Sequence, residues 1–179
     1  MARVRLSILS LLGLALLSGG SSIDAVSGHS RDALTASRDE ATRIAALMRR
    51  VNPTLSEVES ARIGQAVLRS SERFELDPEL VTAVVLVESS ARPWARSPKG
   101  ALGLMQVMPH MASGMQLAGN LTTIESNIEA GCWILSGNIR RLGEANGISA
   151  YFWGSDIRGV AYLDRVRAAR AAVRRFSES

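Results

Sequence analysis

The sequence is poor in the residues from which many catalytic centres are built. It holds one cysteine, Cys132, and two distant histidines, His29 and His110. A lone cysteine excludes an intrachain disulfide. Its neighbours Ala130, Gly131, Trp133 and Ile134 mark Cys132 as a small residue on a buried helix face, not a nucleophile. No His/Cys cluster has metal-ligand spacing, and neither a P-loop nor a dinucleotide glycine fingerprint occurs. No metal or organic cofactor is implied. Lysine is almost absent too: Lys99 is the only one among 21 basic residues. The positive charge is arginine, without the dense basic run or aromatic-basic alternation of a nucleic-acid surface, so nucleic acid is not an expected partner. No stretch alternates at period two, and no repeat recurs.

What is present begins with an export leader. Met1, Arg3 and Arg5 precede an apolar run from Leu6 to Leu17, and Ser18 to Ser22 supply small residues for cleavage. The run is short for a bilayer span, so the membrane is expected to be met only in transit. No cysteine follows the run, which argues against a lipid anchor. Without Arg3 and Arg5, 19 basic residues face 17 acidic ones. We divide the chain into a signal peptide (1–22), an N-terminal linker and helix (23–55) and one catalytic domain (56–179).

The rest reads as helices, and the fold class is all-α. Residues 20 to 36, rich in Ser, Gly and Asp, are expected to be loose. Helices are expected over Ser37–Arg50, from Thr54 or Ser56 past Phe74 into Glu75-Leu76-Asp77-Pro78, over Leu104–Met108, from a Thr123 cap to Arg141, over Ile148–Trp153 and over Ile157–Phe176, with Gly143 and Gly147 as breaks. The arginines of the last helix suit a solvated face.

One glutamate organises the chain. Asp77 can cap a helix and Pro78 suits its first turn. Val81, Val84, Val85 and Glu88 then fall on one face. Burial disfavours a charged carboxylate and raises its pKa, which is what a general acid near neutral pH requires. The competing reading is a solvated helix end.

The stretch after Glu88 separates the two. Glu88-Ser89-Ser90-Ala91-Arg92-Pro93-Trp94-Ala95-Arg96-Ser97-Pro98-Lys99-Gly100-Ala101-Leu102-Gly103-Leu104-Met105-Gln106-Val107-Met108-Pro109 resembles, ungapped, the signature of soluble-type (SLT domain) lytic transglycosylases. Asn127-Ile128-Glu129-Ala130-Gly131-Cys132-Trp133-Ile134-Leu135 is similar to a second element of that family. Ala150-Tyr151-Phe152-Trp153-Gly154 is similar to a third, with Phe152 where the family has asparagine.

The resemblance implies a lysozyme-like helical domain with a groove for peptidoglycan glycan strands. It implies cleavage between N-acetylmuramic acid and N-acetylglucosamine, with Glu88 as the single catalytic acid and 1,6-anhydromuramic ends as product. No Asp or Glu occurs from Ser89 to Thr123, which fits a one-carboxylate mechanism, although Glu125, Glu129 or Asp156 remain available by folding back. Ser89 and Ser97 suit hydrogen bonds to the acid or the substrate, or the capping of a helix or turn, and Gly100 and Gly103 suit close approach of backbone to the sugar or the shaping of the loop; by resemblance, Met105 and Gln106 line the groove and Tyr151 reaches Glu88. Phe152 cannot hydrogen-bond, which implies a reshaped groove, and Trp153 adds stacking area beside it. A hydrolytic muramidase on the same fold and a non-catalytic wall-binding assembly protein are the alternatives. The implied location is periplasmic or otherwise extracytoplasmic. Size and family analogy point to a cell-envelope secretion or conjugation apparatus as partner.

Overall fold

The computed structural model describes residues 21–113, 115 and 120–179. The expected leader therefore lies outside the described residues, apart from its last two serines. Six α-helices follow one another: α1 (Ser21–Val51), α2 (Glu57–Phe74), α3 (Pro78–Ser89), α4 (Ile124–Leu142), α5 (Glu144–Trp153) and α6 (Ala161–Ser177). A 3-10 turn, Pro109–Met111, lies between α3 and α4. Among the described residues there is no strand. Two isolated antiparallel bridges, Arg96 with Leu102 and Leu102 with Val107, shape the loop after α3. The described chain is all-α, as expected, and none of its helices is long and apolar enough to cross a membrane.

By its contacts the chain divides into residues 1–34 and 35–179. Of the first unit, the opening turns of α1 are described, and Leu34 there is exposed. The second unit contains the core. Ile44 and Met48 of α1 are buried in it, and Gly64 of α2 meets the Ala41 carbonyl where a Cβ would not fit. Helix α3 packs on α2 and α6, α4 packs on α2 and α5, and α5 also meets α6.

The helix starts follow local chemistry. Ser56 and Glu59 form a reciprocal capping box at α2, the Asp77 carboxylate caps α3 ahead of Pro78, and the Thr123 hydroxyl caps α4. Arginines then tie helices together. Arg62 grips Glu125 with two 2.8 Å bonds, joining α2 to α4. Arg170 pairs with Asp77 and Glu144, and Arg174 with Glu79, joining α6 to the start of α3. The last helix is thus less a solvated face than its composition implies.

Four expectations need correction. Residues 21–36 are helical, not loose: no proline interrupts them, and Ala25, Arg31, Ala33 and Ala36 favour helix. Leu104–Met108 is not a helix, because Gly103 and Gln106 adopt positive φ (73° and 49°) and Leu102 exchanges backbone bonds with Val107. Gly147 does not break α5 but lies inside it, packed against the Ile139 backbone where a larger residue would clash. The last helix begins at Ala161, not Ile157.

Candidate active site

The site is built where α3 emerges from the core. From Leu80 to Val85 every residue of α3 is buried, so its apolar character runs round the helix and is not confined to one stripe. Exposure begins at Leu86, and Glu88 is half-buried, one residue before the helix ends at Ser89. The chain leaves α3 through Ser90 and Ala91, both left-handed (φ 51° and 58°). The Asn52 side chain holds this turn by donating to the Ala91 carbonyl at 3.0 Å. A non-glycine residue in that conformation stores strain that its surroundings must hold.

The Glu88 carboxylate receives a 2.6 Å hydrogen bond from the Tyr162 hydroxyl of α6. Tyr162 is buried, and Phe152 of α5 stacks on its ring, with centroids 5.0 Å apart and planes 15° from parallel. The Arg165 guanidinium lies 5.5 Å from the Tyr162 ring and 5.8 Å from that of Phe152. Burial raises the pKa of Glu88 above the usual carboxylate range, opposed by the Tyr162 hydrogen bond and the Arg165 charge. Among the described residues, no other carboxylate contributes to that shift. Glu125 and Glu129 are paired with Arg62 and Arg73, and Asp156 with Arg158.

The loop from Arg92 to Val107 is pinned by its own backbone and by Asn127 of α4. Asn127 accepts from the Met105 amide at 2.8 Å and donates to the Leu102 and Leu121 carbonyls at 2.8 and 3.0 Å. Gly103 passes so close to this side chain that a Cβ there would lie 2.4 Å from its nitrogen. The Gln106 amide donates to the Ala95 and Gly103 carbonyls at 3.2 and 2.9 Å, so its nitrogen serves the loop. The Ser97 hydroxyl accepts from the Ala101 amide at the loop tip.

Three expected placements change. Met105 does not line a groove: it is fully buried and fills the space left by Gly131 of α4. The Tyr151 hydroxyl donates at 2.8 Å to the Met105 carbonyl and not to Glu88. Burial raises its pKa well above the phenol range. The Ser89 hydroxyl bonds back to the Val85 carbonyl, within its own helix. Sequence reasoning missed Tyr162, Arg165 and the clamping role of Asn127. Tyr162 had one visible signal: with Leu163, Val166 and Val173 it forms the apolar stripe of an arginine-rich helix. Cys132 is fully buried, as expected, and burial raises its thiol pKa. Among the described residues, no group of three or more His, Cys, Asp or Glu side chains could hold a metal ion.

The arrangement offers a half-buried carboxylic acid, a phenol oriented on it and a cation over the phenol. It suits transfer of one proton out and back at a single carboxyl group.

The chain was compared with known proteins. A family model described as the transglycosylase SLT domain matches residues 65–162. A transglycosylase from Enterobacteria phage PRD1 is 39% identical over 88 residues, covering 49% of this chain and 33% of that protein. The membrane-bound lytic murein transglycosylase C of Edwardsiella ictaluri is 52% identical over 46 residues, covering 26% of this chain and 13% of that protein. Among solved structures, the lytic transglycosylase Slt of Pseudomonas aeruginosa aligns with a TM-score of 0.48 and 23% identity, over 85% of this chain and 32% of that one. The chain thus spans a third or less of the length of these relatives.

Proposed function

Because the chain belongs to the transglycosylase SLT-domain family, we propose that it is a peptidoglycan lytic transglycosylase with Glu88 as its single catalytic acid. Protonated Glu88 gives its proton to the oxygen linking N-acetylmuramic acid to N-acetylglucosamine, and that bond breaks as the muramic ring gains oxocarbenium character. The carboxylate left behind takes the proton of the muramic 6-hydroxyl. The freed oxygen closes on the anomeric carbon, giving a 1,6-anhydro end and returning Glu88 to its acid form. No water and no second carboxylate enter the cycle, in contrast to the carboxyl pair of ordinary glycosidases.

The observation that carries this reading is the setting of Glu88. Its half-buried carboxyl, with a raised pKa, is held by one phenol and sensed by no other carboxylate among the described residues. Tyr162 suits both half-steps, because its hydroxyl donates to the carboxylate when the charge appears. Gly103, Gln106 and Ser97 act in this scheme by holding the loop beside the acid. Met105 acts as the loop's buried anchor, Tyr151 by donating to its carbonyl, and Ser89 by keeping the helix end intact. The expected leader, 1–22, places the reaction outside the cytoplasm, and residues 56–179 form the catalytic unit.

Digestion of purified peptidoglycan, read by mass spectrometry, tests the proposal. Anhydromuramic ends from the native protein, absent with Glu88→Gln, are the expected result. Reducing ends would transfer the protein to the hydrolases. Intact glycan, still bound by the protein, would make it a wall-binding module.

A further inference from the structure

Helix α5 ends in consecutive aromatic residues that serve different parts of the site. Successive side chains on a helix point about 100° apart. Tyr151 turns to the loop and donates to the Met105 carbonyl, while Phe152 turns to α6 and stacks on Tyr162. Gly154, with a φ of 71°, stops the helix just beyond them. Trp153 meets the Phe152 ring edge-on, with centroids 5.0 Å apart and planes at 89°. It keeps this place although its buried indole N–H has no hydrogen-bond partner among the described residues, so ring packing outweighs a polar contact there. Phe152 itself is 51% exposed, with its ring backed by Trp153 and laid against Tyr162. An asparagine, which the resembling family has at this position, offers no ring to cover the phenol.

The plane of the phenol matters because its proton lies in it. A phenol O–H is conjugated with its ring and prefers the ring plane. Tilting the Tyr162 ring therefore swings the O–H off the line to Glu88 Oε1, and a hydrogen bond weakens steeply as it bends. The 2.6 Å bond to Glu88 thus depends on the tilt of that ring. The near-parallel Phe152 ring resists a change of tilt, and the Arg165 guanidinium lies over both rings.

We infer that Phe152 is a positioning residue for the acid: its ring fixes the plane of the Tyr162 phenol and thereby aims the O–H at Glu88. Its consequence for catalysis rests on the lytic transglycosylase reading; the aiming of the phenol does not. The charged and titratable groups that bear on Glu88 are Tyr162 and Arg165 of α6 and Tyr151 of α5. Arg165 also lies over Tyr162, so it keeps a ring beneath it when Phe152 is replaced. The phenol is then the route by which Phe152 acts.

A double-mutant cycle separates this role from mere cover. Phe152→Leu keeps an apolar side chain and removes the ring, and Tyr162→Phe keeps the ring and removes the donor. The titration of the Glu88 carboxyl is followed by carbon-13 NMR in the native protein, the two single variants and the double variant. Phe152→Leu should raise the midpoint by about half a pH unit, because a weaker bond favours the charged form less. It should leave the midpoint nearly in place once Tyr162 is replaced. A lowered midpoint, the sign of water admitted to the acid, overturns the inference. So does no shift, or an equal shift in both backgrounds.

Kinetics on soluble, uncrosslinked glycan strands give the second readout. Phe152→Leu should lower kcat about threefold, no more than Tyr162→Phe does, with KM unchanged, and Phe152→Tyr should keep the native kcat. A raised KM at constant kcat would make Phe152 a surface for the sugar and overturn the inference. If the native protein releases no anhydromuramic ends, the proposed activity falls, and the NMR cycle, which needs no turnover, still decides the role of Phe152.

Discussion

Tyr162 and Glu88 stand 74 positions apart in the chain and are joined by a 2.6 Å hydrogen bond, the phenol donating to Oε1 of the carboxylate. The bond favours the charged form of an acid that burial keeps protonated. Replacing Tyr162 by Phe keeps the packing and removes the donor. The Glu88 pKa should then rise further, so the pH at which activity is lost on the alkaline side should move up. With an interaction of about 1 kcal/mol at stake, the rate at its optimum should change by roughly fivefold. Arg165→Gln should move the same limb in the same direction but less, because its charge is exposed and screened by salt. pH–rate profiles of the three proteins decide this, and superimposable profiles would remove Tyr162 and Arg165 from the account.

The raised pKa also has a thermodynamic consequence. Glu88 binds its proton more tightly in the folded state than at its unfolded value near 4.5. Its contribution to stability is therefore fully present below that value and is lost as pH rises through the folded pKa. Glu88→Gln, neutral at every pH, should gain stability relative to the native protein as pH increases. Urea unfolding of both proteins at several pH values measures the gap, which should widen with pH. A constant gap would mean that burial does not tune this carboxyl.

Asn127→Ala should be among the most damaging changes away from Glu88. It removes three hydrogen bonds to the Met105 amide and the Leu102 and Leu121 carbonyls, at a residue 1% exposed. Groups left unpaired in the interior should lower stability by about 2–4 kcal/mol. Chemical denaturation gives that figure, and hydrogen exchange at the Met105 amide should accelerate well beyond the global effect. Protection unchanged at that amide would show that the loop is held by other means.

Two loop glycines offer a matched comparison. Gly100 and Gly103 both have positive φ (91° and 73°), but a Cβ at Gly100 meets nothing, whereas at Gly103 it collides with Asn127. Gly100→Ala should cost about 1 kcal/mol of backbone strain. Gly103→Ala should cost clearly more and should also reduce activity, because Asn127 must move. Equal costs in thermal unfolding would show that Asn127 yields freely.

Much of the helical frame can be read locally. Asp77 before Pro78, Thr123 before its helix and Ser56 with Glu59 are capping chemistry confined to a few neighbouring residues. Glu88 was legible as a candidate because it ends a long apolar run. The remainder depends on contacts between distant segments. Met105 and Gln106 occupy a pattern of apolar and polar residues that reads as a helix, yet Asn127, 22 positions beyond Met105, takes the Met105 amide that a helix would have used. Tyr151 and Tyr162 are both tyrosines near apolar residues, and nothing local distinguishes which one meets Glu88. That choice is made by the docking of α6 on α3, fixed by Arg170 and Arg174 on Asp77 and Glu79. The first turns of α1 were hidden because their sequence, rich in Ser, Gly and Asp, carries no clear apolar stripe.

The order of synthesis gives the Tyr162–Glu88 bond a further meaning. A growing chain contains its acid long before it contains the phenol, and α6 is the last described helix to appear. Until α6 has been made and has docked, Glu88 stands at the end of α3 without its hydrogen-bond donor and without Arg165. The final helix thus acts as a seal on the molecule: an incomplete chain carries the glutamate but not the assembled site.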